Sequence, residues 1–134
     1  MGTFKVLPHT ADVCLEVEGK DLKDLFETAA LGMFSLITNI EEVKEEEEKR
    51  VKVEGEDRID LLVRWLNELL YLHSTGYLFR KFEIVQLKEK NLEAVIKGEK
   101  IKPHHVLELE IKAATYHDLK IEGSPPRTRI IFDV

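Results

Sequence analysis

The stretch IDLLVRWLNELLYLH, residues 59–73, decides the fold of this 134-residue chain. Its apolar residues recur three and four positions apart, which is the spacing of one face of an α-helix. Leu61 and Trp65 widen that face, so the helix predicted over residues 57–73 is apolar around much of its circumference. A helix of this kind is buried on more than one side, which predicts a pair of helices packed between sheets.

A first helix is predicted over residues 21–38, because its apolar residues show the same spacing. Asp21 is expected to cap the N-terminus of this helix, since a short polar side chain there accepts a hydrogen bond from a free backbone N–H. Glu56, Asp57 and Asp60 are expected to do the same for the second helix and to complement its dipole.

Strands are predicted where apolar and polar residues alternate or where short apolar runs end in turn residues. The predicted ranges are 13–17, 51–54, 79–87, 92–98, 107–113, 119–121 and 129–134. The charge-dense run at residues 41–50 is predicted to be a solvated connector, because clustered like charges resist burial. The order of elements predicts an α+β domain over residues 1–134 with mostly antiparallel pairing.

The bulk composition excludes several classes of protein. The net charge of −6 and the pI of about 5.4 argue against tight direct binding to bare nucleic acid, which needs a basic surface. The single Cys14 excludes an internal disulfide and a thiolate zinc site. No apolar run approaches the ~20 residues of a membrane helix and no secretory signal is evident, so we expect a cytoplasmic protein.

Two aspartates near opposite ends of the chain are candidate site residues. Asp12 precedes the first predicted strand, and Asp133 lies in the last one, next to the α-carboxylate of Val134. If these strands are neighbours, the carboxylates cluster, and clustered carboxylates favour a hard cation. The alternative is that both are ordinary solvated residues at strand ends, as most aspartates are.

The remaining candidates are weaker. Lys112 is expected to face outward, either as a cross-strand ion-pair residue of little energetic value or as a cation that meets an acidic partner or a phosphate. His104 and His105 would point to opposite sides of a strand, which makes joint metal ligation awkward. Neither a glycine-rich phosphate loop nor a nucleophile elbow occurs in the sequence.

Taken together, several segments resemble the archease family along nearly the whole chain. The resemblance is carried, in order, by His9–Asp12, Leu25–Ala30, Val53–Asp57, Leu61–Leu72, Glu110–Ala113, Thr115–His117 and Ile131–Val134. It implies a three-layer sandwich in which two helices pack between mostly antiparallel β-sheets. One departure is Lys102, which stands where many relatives carry an acidic residue.

The resemblance also implies a function. Archeases are non-enzymatic activators of the GTP-dependent RNA ligase of tRNA splicing and RNA repair, which joins 3′-phosphate or cyclic-phosphate ends to 5′-hydroxyl ends. The family promotes guanylylation of the ligase histidine and multiple turnover, and contacts RNA mainly through the ligase. The alternatives are a free-standing metal-dependent hydrolase and a chaperone-like binding protein.

The resemblance finally implies a site. A divalent cation, commonly calcium with magnesium or manganese as alternatives, is expected to bind the residues matching Asp12, Asp133 and Val134. The lysine matching Lys112 belongs to the family's functional surface. Asp12, Lys112 and Asp133 are therefore the expected partner-activating residues.

Overall fold

The computed structural model describes residues 2–7 and 12–134. The chain contains two helices, α1 (Leu22–Ile37), which lies between the second and third strands in sequence, and α2 (Arg58–Ser74), which lies between the third and fourth. The strands are β1 (Thr3–Leu7), β2 (Val13–Glu18), β3 (Glu47–Glu54), β4 (Tyr77–Leu87), β5 (Asn91–Lys100), β6 (Ala113–Ala114), β7 (Ile121–Glu122) and β8 (Arg127–Asp133).

The strands form two antiparallel sheets. The larger sheet has the order β1-β2-β8-β6, and β7 also pairs with β8. The smaller sheet has the order β3-β5-β4. Helix α1 packs against β2 of one sheet and β4 of the other, and α2 packs against β6 and β3. The predicted α+β sandwich with two helices between antiparallel sheets is confirmed.

Helix α2 is buried on two sides, as its broad apolar face predicts. The indole of Trp65 is fully buried and its Nε1–H donates to the backbone oxygen of Phe26 at 3.0 Å. Trp65 thus packs α2 directly onto α1 and keeps its one polar atom satisfied. On the larger sheet, Leu15 and Phe132 point into the same core with no exposed surface.

The helix termini follow the predicted capping chemistry. Asp21 accepts a hydrogen bond from the N–H of Asp24 at 2.8 Å, and Asp57 accepts one from the N–H of Asp60 at 2.9 Å. After α2, Gly76 adopts a φ of +105°, a conformation that glycine reaches without steric cost. The chain reverses there and enters β4.

The connector predicted over residues 41–50 is wrong in its second half. A 3-10 turn covers Ile40–Glu42, and strand β3 already begins at Glu47. More exposed and less exposed residues alternate along this strand at the edge of the smaller sheet, and Glu48 pairs with Lys97 of β5 at 3.9 Å. An edge strand tolerates such charges because one of its sides stays in water.

The strand predicted over residues 107–113 is also wrong. Only an isolated bridge between Leu107 and Thr38 and the two residues of β6 show strand pairing there. The alternating pattern is present, but β8 ends at Asp133 and leaves no strand beside the residues before Lys112. Strand β1 lies outside the predicted strand ranges, the first of which starts at residue 13. No helix in the described ranges is long and apolar enough to cross a membrane.

Candidate functional site

The predicted aspartates lie at one end of the two central strands of the larger sheet, where β2 begins and β8 ends. The β2–β8 ladder begins with the pair Val13–Phe132; Asp12 directly precedes Val13 in the chain, and Asp133 directly follows Phe132. Asp12 is half-buried and Asp133 is exposed. Both predicted aspartates therefore lie at the same end of the β2–β8 ladder, with Val134 next in the chain.

Lys112 lies on the other side of β8 from Asp12. Its backbone N–H donates to the carbonyl oxygen of Asp133 at 2.8 Å, immediately before Ala113 pairs with Asp133 in the β6–β8 ladder. The Lys112 side chain is exposed, as predicted, and its ammonium group forms no ion pair with any described residue. The cross-strand ion pair that was the alternative role of Lys112 is thus absent from the described ranges.

Asn67 on α2 holds strand β6 beside this end of the sheet. It is not among the site residues predicted from the sequence. Its Oδ1 accepts from the N–H of Ala114 at 2.8 Å, and its Nδ2 donates to the carbonyl oxygen of Ala114 at 3.1 Å. The amide thereby satisfies the side of β6 that has no strand neighbour. A polar residue inside the apolar run of α2 was the available signal.

The outer face of the larger sheet carries Cys14 and the charged residues Lys5, Glu16 and Arg129. The carboxylate of Glu16 forms ion pairs with Lys5 Nζ at 3.5 Å and with Arg129 Nε at 3.1 Å. Cys14 is 6% exposed, and its burial raises the pKa of its thiol. A buried thiol with a raised pKa is a poor nucleophile, so we interpret Cys14 as a packing residue.

A second group of ligand-type atoms joins Glu99, His104 and His105, all within 4.8 Å of one another. On a strand the two histidines would point apart, but they lie in a turn region and their ring centroids are 4.2 Å apart. Both ring nitrogens of His105 are engaged: Nδ1 accepts from the N–H of Lys102 at 2.8 Å, so Nε2–H donates to Glu99 at 3.0 Å. The hydrogen bonds of His105 to Lys102 and Glu99 stabilise the loop after β5.

Comparisons with known proteins agree with the fold. The chain matches the Archease protein family (MTH1598/TM1083) over residues 4–134. It is 40% identical over 141 residues to protein archease of Methanothermobacter thermautotrophicus, and the alignment covers 100% of both chains.

The chain belongs to the archease family. Protein archease of Pyrococcus abyssi is 43% identical over 122 residues, which cover 87% of this chain and 86% of that one. The solution structure of Methanobacterium thermoautotrophicum protein 1598 superposes with a TM-score of 0.80 at 36% identity, covering 98% of each chain.

A more distant family structure shares the architecture. The crystal structure from Thermotoga maritima, described as an archease and possible chaperone, gives a TM-score of 0.65 at 23% identity, with 97% of this chain and 96% of that one covered. At this identity the likeness shows the fold alone.

Lys102 has a structural role. Its ammonium lies 2.8 Å from Glu99 Oε1 and 2.7 Å from Glu46 Oε1. Burial of Glu99 opposes its ionisation, but hydrogen bonds from Lys102, the N–H of Lys44 and His105 outweigh it and lower the pKa of Glu99 to about 2. A carboxylate already neutralised by an ammonium has little to offer a metal ion.

Proposed function

We propose that this archease is a non-enzymatic cytoplasmic activator of the GTP-dependent RNA ligase of tRNA splicing and RNA repair. Family membership supports the proposal, and the observation that carries it is that Asp12 precedes β2 at the end of the ladder where β8 finishes at Asp133, whose carbonyl oxygen accepts from the N–H of Lys112. In this role the chain promotes guanylylation of the ligase histidine and multiple turnover. The ligase contacts the RNA, which suits a chain of net charge −6.

The same end of the sheet is the proposed site for a divalent cation, with Asp12, Asp133 and Val134 as its ligands. Carboxylate oxygens are hard donors, which suits calcium, magnesium or manganese. Asp133 and Val134 are exposed, so a cation held there keeps coordination positions open to water or to groups of the partner. A calcium ion takes six to eight oxygen ligands, more than these residues supply.

Lys112 complements the carboxylates in this proposal. Its backbone is bonded to Asp133, and its side chain is solvated. An ammonium group beside a cation site meets anions on the partner, either a carboxylate of the ligase or a nucleotide phosphate.

The decisive experiment is a guanylylation assay with purified ligase, GTP and a divalent metal, with and without this protein. We expect covalent ligase–guanylate to form faster, and joined RNA to exceed one equivalent of ligase, only when the protein is present. Asp12→Asn tests the proposed site, and Asp118→Asn is its matched control, because Asp118 is an exposed aspartate on a loop outside that site. Hydrolysis of a phosphate ester by the protein alone would instead favour the metal-dependent hydrolase.

A further inference from the structure

A groove of about 910 Å³ runs between the C-terminal half of α2 and residues 107–112. Leu70 and Ile111 line its floor and are 7% and 6% exposed, and Leu109 adds a partly buried side chain. Tyr71 and Leu107 stand on its two rims with 62% and 50% of their surface exposed. Large apolar side chains on both sides of one groove are more than scattered surface residues, and such patches mark binding sites.

The backbone beside this groove has unused hydrogen-bonding groups. The N–H groups of Leu109, Glu110 and Ile111 donate to no other atom within the described residues, although Ile111 is buried. Buried and half-buried N–H groups are normally paired. Because successive N–H groups of an extended chain point to opposite sides, one added extended segment can accept from those of Leu109 and Ile111.

The charges of the groove specify what that segment carries. Glu108 and Glu110 are exposed on its rim, and neither forms an ion pair with a described residue. Lysine or arginine side chains of an incoming segment complement them. The groove also ends at Lys112, whose N–H bonds to Asp133. A segment lying in it therefore leads to the proposed cation site.

We propose that this groove docks an extended segment of the RNA ligase in which apolar and basic residues alternate. The apolar side chains pack between Tyr71 and Leu107, and the basic ones face Glu108 and Glu110. The segment accepts hydrogen bonds from the N–H groups of Leu109 and Ile111. The inference rests on the proposed function, because it assigns the surface through which the ligase is held while Asp12, Asp133 and Lys112 act.

The test measures the dissociation constant of the purified ligase for the full-length protein by isothermal titration calorimetry. Leu107→Glu places a charge on the apolar rim, and Val85→Glu is its control, since Val85 is 46% exposed on β4 of the other sheet. Glu110→Lys reverses a rim charge, and Glu45→Lys is its control on the exposed connector before β3. Thermal melts of all four variants identify any that fail to fold.

We expect Leu107→Glu to raise the dissociation constant about tenfold or more, as truncated anchor residues do. Glu110→Lys should weaken binding mainly at low salt, and both controls should bind as the wild type does. Groove variants that bind the ligase normally would overturn the docking surface and leave the proposed function standing. A wild-type protein that does not bind the ligase at all would overturn both.

Two further measurements separate the remaining outcomes. Asp12→Ala should bind the ligase but fail to activate it, because docking and activation are assigned to different residues. Sedimentation equilibrium of the protein alone should show a monomer. A dimer that Leu107→Glu converts to a monomer would show that the groove holds a second copy of this chain, and the ligase segment would be excluded.

Discussion

Asn67 holds Ala114 through both hydrogen-bonding groups of its amide, at 2.8 and 3.1 Å. The contact joins α2, which is anchored in the core by Trp65, to the short strand β6. Strand β6 in turn pairs with Asp133, and Lys112 donates its N–H to the same residue. A series of hydrogen bonds through the Asn67 side chain and β6 therefore connects the core helix to the proposed site. The position of Lys112 depends on Asn67, which need not touch any partner.

Asn67→Ala should destabilise the fold by about 1–3 kcal/mol, because it removes two hydrogen bonds and leaves a half-buried backbone edge without partners. Hydrogen exchange of the Ala114 amide should accelerate by more than the global change in stability explains. Urea unfolding and amide exchange measure the two effects. Asn91→Ala is the control, since Asn91 is exposed at the start of β5. An unchanged exchange rate at Ala114 would show that β8 alone holds β6.

Asp12→Asn and Asp133→Asn should each weaken calcium binding and abolish ligase activation while melting curves remain close to the wild type. The expected stability change is within about 0.5 kcal/mol, because surface substitutions rarely exceed it. Calcium titration calorimetry and the guanylylation assay are run on the same preparations. Asp118→Asn is the control, because its φ of +51° suits asparagine as well as aspartate. Wild-type calcium affinity in both site variants would refute the cation site.

The parts of the fold that the sequence could predict depend on local signals. Helix periodicity and the capping side chains of Asp21 and Asp57 are encoded within a few neighbouring residues, and both helices start where those signals place them. The alternation of Val13, Leu15 and Val17 likewise predicts which face of β2 is buried.

The parts that could not be predicted depend on distant partners. Residues 107–113 carry a strand pattern, but a strand needs a neighbour, and β8 ends too early to supply one. Strand β3 extends into the charged run because β5 is available beside it, with Glu47 paired to Gly98. The role of Asn67 depends on Ala114, which is 47 positions away in the chain. Nothing in the flanking residues of these segments reports such contacts.

Lys112→Ala should lower ligase guanylylation without changing the melting curve, since its side chain is solvated and has no ion-pair partner within the described ranges. Lys112→Arg keeps the charge and should restore part of the activity. Lys120→Ala, an exposed lysine on the loop before β7, should behave as the wild type. Guanylylation by Lys112→Ala at the wild-type rate would make Lys112 an ordinary surface lysine.

Glu99 should make the stability of the protein fall in acid. The pKa of Glu99 is about 2 in the fold against 4.5 for an ordinary glutamate, so the unfolded chain takes up the proton first as the pH falls. The stabilisation is fully present above pH 4.5 and is lost as the pH drops to about 2. A shift of this size corresponds to about 3 kcal/mol in the free energy of unfolding.

Urea unfolding of the wild type and of Glu99→Gln between pH 7 and pH 2 isolates this contribution. The variant should be less stable at neutral pH, and the difference from the wild type should shrink below pH 4.5, because a glutamine binds no proton. Lys102→Met should raise the pKa of Glu99 by removing its ammonium partner and should move the acid transition upward. Lys52→Met, which breaks only the exposed pair with Glu93, should leave the pH profile unchanged. Parallel pH profiles for the wild type and Glu99→Gln would mean that other carboxylates govern acid unfolding.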